Sequence, residues 1–368
     1  MTREEFRAAA LDAAWLASCA VNDRTPDPSR VSELDLGRLF TAADRHFLTC
    51  VAAMALERAG VRDAAFTQAK GKAVRKVAAF ELERAAVLEA MERAGIWHMP
   101  LKGCVLKDLY PQLGMRQMSD VDILYDVSRT AELCQIMEEL GYSTDKTFGL
   151  THEDHYYKPP IYNIEMHRSL FPQARGDVFW EYYRDVGTRL IGDEGKRFAR
   201  HFSDEDFYVY MTAHAYKHYT GSGTGMRTIL DTYIFCKRKG ETLNWAYIAG
   251  ELRKLGMEAF ESEIRNLALR LFDGESLTAS EREMLDYYLF SGTYGTEENR
   301  VGNQLRSKGR VGYLFSRAFL PFRSMRMLYP ILDRLPVLLP LCWVLRLASA
   351  WKTKRKSVLF QLRAAFRR

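Results

Sequence analysis

The sequence predicts an α+β protein: a small mixed β-sheet core flanked by N- and C-terminal helical regions. Two observations carry this expectation. Residues 1–95 and 175–310 repeat apolar side chains at spacings of three and four, the period of an amphipathic helix. Between them, Val121–Tyr125 and Tyr162–His167 place acids between apolar neighbours at a period of two, as a strand does. The resulting division is a helical region over 1–95, an α/β core over 96–174, a second helical region over 175–310, and an apolar, basic helical segment over 311–368.

Taken in order, Phe6, Ala10, Leu11, Ala14 and Trp15 mark a first helix. A second runs from Leu39 through Phe47 and Met54 to Gly60, and a third from Ala64 to Arg93 with Gly95 as its stop. The basic cluster Lys70–Lys76 reads as a solvated face. Ile96–Leu101 is the first strand, with Pro100 marking an edge or an end. A turn at Gly103 leads into a short helix closed by Pro111 and Gly114. After the Val121–Tyr125 strand, Ser128 caps a helix bearing Leu133, Ile136, Met137 and Leu140, ended by Gly141. The run Thr151–His155 reads as a polar loop, with a stray metal as the other reading, and Tyr162–His167 is the next strand. Helices are expected on one side of this sheet. Phe207–Tyr219 and Arg227–Lys237 return to helical spacing across the Gly221–Gly225 break.

The balance of 47% hydrophobic and 27% charged residues is that of a globular chain. A net charge of +6 suits anionic ligands such as nucleotides, and no dedicated nucleic-acid-binding module is visible. The six cysteines form no C-x-x-C pair, and Met1–Glu5 lacks an apolar signal core, so reduced thiols in a cytoplasmic protein are expected. Residues 328–351 are rich in Leu and Val but interrupted by Pro330, Pro336 and Pro340, and from Arg346 to Arg368 there are eight basic residues and no acid. That segment offers either peripheral membrane contact or packing on the protein body.

The chemistry concentrates in three motifs. Asp120 and Asp122 flank Val121, so a strand projects both carboxylates from one face while Val121 and Ile123 enter a core. Adjacent acids repel, and a divalent cation is the usual reason to hold them together. Glu165 offers a third acid with His167 on its face, where the imidazole either positions an acceptor or caps a carboxylate. Upstream, Gly103 admits close backbone approach to a phosphate, and Lys102 reaches the same phosphates. Arg116, four residues before Asp120, either holds a phosphate or makes a structural ion pair.

Leu101-Lys102-Gly103, Arg116–Leu124 and Glu165-Met166-His167, in that order, resemble the bacterial uncharacterised nucleotidyltransferases. These are a branch of the superfamily built on the fold of the DNA polymerase β catalytic domain. The turn of the wider superfamily reads Gly-Ser or Gly-Gly, whereas here it reads Lys-Gly. The resemblance implies an enzyme moving an NMP from an NTP such as ATP to an acceptor hydroxyl or similar group. The acceptor classes are a small molecule, a peptide, a protein or an RNA end. Two Mg²⁺ ions would be held by the catalytic acids Asp120, Asp122 and Glu165, and the nucleotide by Lys102, Gly103 and Arg116. A histidine-bearing helix follows the sheet in this family. That places His214, Lys217 and His218 on a cleft wall together with His167, Arg227 and Asp231; the other reading of each is a packed or solvated side chain. His214 and His218 lie one turn apart, but a metalloprotease helix needs Glu where this chain has Ala215. The alternative function is a non-catalytic nucleotide-binding or membrane-surface assembly protein on the same fold.

Overall fold

The computed structural model describes residues 1–353 apart from 146 and 175, and beyond them 355, 359, 361, 363 and 366. Two compact units emerge: Met1–Tyr216 with Gly225–Thr293, and Lys217–Thr224 with Tyr294–Arg368.

The first unit begins with α1 (Arg3–Val21), α2 (Pro28–Ser32), α3 (Leu36–Arg45), α4 (Thr49–Arg58) and the long α5 (Ala64–Ala94). Thr2 and Glu5 form a reciprocal capping box that satisfies orphan N–H groups at the start of α1. Buried alanines on α1 and α4, among them Ala10, Ala13, Ala17, Ala52 and Ala53, let these helices pack closely. α5 ends at Gly95, whose φ of 74° is the left-handed stop expected of it.

The expected single helix from Leu39 to Gly60 is two helices, because the chain turns at His46-Phe47-Leu48, where Phe47 has φ 55°. The turn buries His46, whose Nδ1 accepts the Met226 N–H at 3.3 Å. Burial, with the Arg45 charge adding to it, pulls the His46 pKa down to about 4. The unfolded chain, with an ordinary pKa of about 6.5, therefore takes up this proton first on acidification. Stability is expected to be full above about pH 6.5 and to fall by on the order of 3 kcal/mol as pH drops to about 4. Denaturant unfolding between pH 4 and 7 checks this. His46→Asn, which keeps an acceptor at the Nδ1 position, should flatten the slope, and equal slopes in variant and wild type would refute the assignment.

The sheet runs in the order β1 (His98–Pro100), β2 (Val121–Tyr125), β5 (Tyr162–His167), β4 (Glu153–Lys158), β3 (Ser143–Thr144). Among the described residues, β2–β5 is the only parallel pair of strands in this sheet. Pro100 ends an edge strand, where its missing N–H costs nothing. One face carries Val121, Ile123, Tyr125, Ile164 and Met166 into a core with Phe80, Val87 and Met91 of α5 and Leu133 and Met137 of α7 (Thr130–Glu139). The other face is covered too, contrary to the expectation of helices on one side. Met99, Leu101 and Leu124 pack with Tyr208, Val209 and Ala213 of α9 (Asp204–Thr220). That second face is apolar at one end and acidic at the other, because Leu124 shares it with Asp122.

The Thr151–His155 stretch is also corrected: from Glu153 onward it is strand β4. Asp154 and Tyr156 point into the α5 core while Glu153 and His155 take the acidic face. Asp154 is buried against Arg168, Nε to Oδ2 2.6 Å, which meets its charge.

The short α6 (Gly103–Leu106) precedes β2; α8 (Val178–Tyr183) and the ribbon of β6 (Ile191–Gly192) and β7 (Arg200–His201) follow β5. After α9 come α10 (Met226–Lys239), α11 (Trp245–Leu255), α12 (Glu258–Asp273) and α13 (Ala279–Ser291).

In the second unit, α14 (Glu297–Ala318) kinks at Gly309 and is followed by α15 (Phe322–Leu328) and α16 (Leu339–Thr353). Its cores are small: Val301 with Tyr313, and Met325, Leu332 and Cys342. Val311, Phe315, Val337 and Val344 are exposed. Among the described residues no helix is long and apolar enough to cross a membrane. Of the basic C-terminal residues, Lys354, Lys356, Arg367 and Arg368 lie outside the described residues.

Candidate active site

The acidic end of the second sheet face gathers Asp122, Glu165, His167, Glu153 and His155. Parallel pairing sets Asp122 directly beside Glu165, and antiparallel pairing sets His155 beside Glu165 and Glu153 beside His167. Adjacent strands lie about 4.8 Å apart, so the three strands deliver one continuous patch.

Asp122 is buried and held on both sides: Lys102 Nζ lies 3.0 Å and His167 Nε2 2.8 Å from its Oδ1. Oδ2 receives neither bond. Burial alone would raise the Asp122 pKa, but the Lys102 charge and the His167 hydrogen bond outweigh it and hold the carboxyl below the usual range. Burial opposes the Lys102 ammonium as well, and the Asp122 charge overcomes it and raises that pKa. Asp120, one residue before β2, accepts the Ser119 hydroxyl at 3.0 Å, and burial and the Asp122 charge push its pKa up. Glu165 faces His155 Nδ1 at 3.4 Å. Burial, then the charges of Asp122, Asp120 and Glu153, push Glu165 up to about 8.

The Lys102-Gly103 turn is strained and closely packed. Lys102 has φ 42°, a region that costs a side-chain-bearing residue on the order of 1–3 kcal/mol. The conformation carries its ammonium back to Asp122. A Cβ on Gly103 would lie 2.5 Å from Arg116 Nη1, so the space beside this glycine is filled by the guanidinium. The helix after it is a single turn of four residues.

Arg116 makes a buried fork onto Asp231 of α10, Nε to Oδ1 2.9 Å and Nη2 to Oδ2 3.0 Å. Tyr110 donates its hydroxyl to the same Oδ1 at 2.7 Å. Arg227, one turn before Asp231, donates to the Gln117 carbonyl at 3.0 Å. These four residues tie α10 to the segment entering β2, so the ion-pair reading of Arg116 is the one its two nitrogens express.

His214 lies on α9 one turn after Tyr210, with ring centroids 6.3 Å apart. Lys217 and His218 belong to the second unit, where the Gly223 N–H donates to the His218 carbonyl at 2.9 Å. Sequence reasoning passed over Tyr210, a buried phenol that feels the charges of Lys102, Asp122 and Glu153. Its helical spacing among other aromatics carried no signal. His155 and Glu153 were visible only as members of a polar run, and alternation against Asp154 and Tyr156 was the signal that could have placed them.

Among the described residues, two trios could hold a metal: Asp122, Glu165 and His167; and His152, Glu153 and His167. Asp122 on an interior strand, Glu165 on its parallel neighbour and the Lys102-Gly103 turn before them lie together on this α+β fold. A family model described as uncharacterised nucleotidyltransferase matches residues 32–273, and this chain belongs to that family. No curated protein and no solved structure matches the chain.

Proposed function

We propose that this enzyme transfers a nucleoside monophosphate from an NTP to an acceptor hydroxyl, or a similar group, with Mg²⁺ bound by Asp120, Asp122 and Glu165. The observation that carries the reading is the β2–β5 register, which sets Glu165 beside Asp122 on one face of the sheet. In the reaction an acceptor oxygen bonds to the α-phosphorus, the bond to the pyrophosphate breaks, and the acceptor proton leaves to a base.

The donor set fits the ion. Mg²⁺ takes hard oxygen ligands, and the three acids offer carboxylate oxygens, two of them on adjacent strands. A pair of divalent ions supplies positive charge to the phosphate oxygens and acidifies the attacking hydroxyl. The chain's own part is orientation. Lys102 and His167 fix Asp122 through Oδ1, leaving Oδ2 to the site. His155 Nδ1 faces Glu165 Oε1 at 3.4 Å, and the Glu165 carboxylate is the group placed to take the acceptor proton. Arg116, locked to Asp231, supports the turn that aims Lys102.

Thermal unfolding with each of the four ribonucleoside triphosphates, with and without Mg²⁺, tests this. A ligand at 100 times its Kd adds about 2.7 kcal/mol to the folded state, a rise of several degrees. One nucleotide should give that rise only with Mg²⁺, and pyrophosphate release on adding acceptor separates an enzyme from a nucleotide-binding protein. No Mg²⁺-dependent rise with any of the four refutes the proposal.

A further inference from the structure

We infer that His152, Glu153 and His167 form a second metal centre, selective for a zinc-class transition ion over Mg²⁺, with Asp122 as the residue that orients its buried histidine. His167 is only 2% exposed. Its Nε2 lies 2.8 Å from a carboxylate oxygen of Asp122, an acceptor, so Nε2 carries the proton. Its Nδ1 is buried and has no hydrogen-bond partner among the described residues. A buried polar atom without a hydrogen bond is rare and calls for a partner. The atom looks at Glu153 Oε2, 3.7 Å away, and Glu153 Oε2 in turn lies 3.3 Å from His152 Nε2.

An imidazolium bridging the two acids is the simplest rival, but 3.7 Å is too long for Nδ1–H to reach Glu153. The separation fits a shared ion instead. Bonds of 2.0–2.1 Å at tetrahedral angles set neighbouring ligand atoms roughly 3.4 Å apart, and the three donor atoms of this trio all lie within 4.8 Å of one another. The scaffold holds them there: Glu153 pairs with His167 across the β4–β5 ladder, and the His152 carbonyl accepts the Arg168 N–H at 2.8 Å and the Ser169 N–H at 3.4 Å.

Two imidazoles and one carboxylate make a set that suits zinc and its neighbours better than Mg²⁺, and three protein ligands leave a position open. A carboxylate on the far nitrogen of a metal-bound histidine fixes its tautomer and raises its basicity. Asp122 stands in that position. The alternative trio of Asp122, Glu165 and His167 would need Nε2 as ligand, and Nε2 is already bonded to Asp122.

The test uses the full chain, stripped of metal, titrated with Co²⁺ in excess Mg²⁺ and followed by visible absorption, with Zn²⁺ affinity by calorimetry. One Co²⁺ per chain should give a ligand-field spectrum that Zn²⁺ abolishes and Mg²⁺ does not. His152→Ala should lose the spectrum while its metal-free unfolding midpoint stays near wild type. Asp122→Asn should bind Zn²⁺ about 10–100-fold more weakly, and Glu165→Gln should bind as wild type. Absence of Co²⁺ and Zn²⁺ binding overturns the inference, as does a His152→Ala chain that binds like wild type. Loss of binding in Glu165→Gln with retention in His152→Ala also overturns it, placing the ion among the acids. These readouts are independent of nucleotidyl transfer, so failure there leaves this result standing and the reverse.

Discussion

Asp122→Asn is expected to lower pyrophosphate release by on the order of 10³-fold or more while the chain stays folded. The loss is one of charge. A unit charge pair at 4 Å in an effective dielectric of 20 is worth about 4 kcal/mol, which is about a thousandfold in rate, and a divalent ion loses more. Asparagine keeps an oxygen for the Lys102 and His167 contacts, so the sheet register survives. What disappears is the anion that the Lys102 ammonium, the His167 N–H and the proposed Mg²⁺ share. Steady-state pyrophosphate release at saturating Mg²⁺ and nucleotide reads the effect. Activity within tenfold of wild type would remove Asp122 from the site.

The second large effect is on stability. Asp231→Ala should destabilise the first unit by about 3–5 kcal/mol, the usual result of leaving a buried charge without its partner. Arg116 is the stranded group: both ends of its fork lie on Asp231, and the fork is buried. Gly103→Ala acts on the same guanidinium from the other side, because the new Cβ would lie 2.5 Å from Nη1 and force it off Asp231. The two substitutions should therefore be non-additive, the double variant costing clearly less than the sum of the singles. Urea unfolding of the four chains measures this. Additive losses, or a loss below about 1 kcal/mol for Asp231→Ala, would show that the fork does not hold the turn.

The fork also marks how far a linear reading reached. Val121–Tyr125 and Tyr162–His167 were legible because a strand writes its two faces into adjacent residues, and both strands appear where the alternation put them. The Gly95 stop was legible because a left-handed helix end tolerates few residues. The α3–α4 break was not. His46 and Phe47 read as helix, and what turns the chain there is a histidine accepting a bond from Met226, far along the sequence. β4 was missed for a related reason. Glu153-Asp154-His155 looks solvated until Asp154 is seen buried on Arg168 and Glu153 set opposite His167.

By itself the sequence determined the class of protein and singled out three acids as candidates for its chemistry, since those depend on residue type and short spacing. Tertiary structure alone decided which acid stands beside which, that Arg116 spends its fork on Asp231, and that His167 turns one nitrogen to Asp122 and the other toward Glu153. Those contacts join residues 45 and 115 positions apart. The free energy that selects them comes from burial and charge compensation in the folded core, where local sequence has no reach.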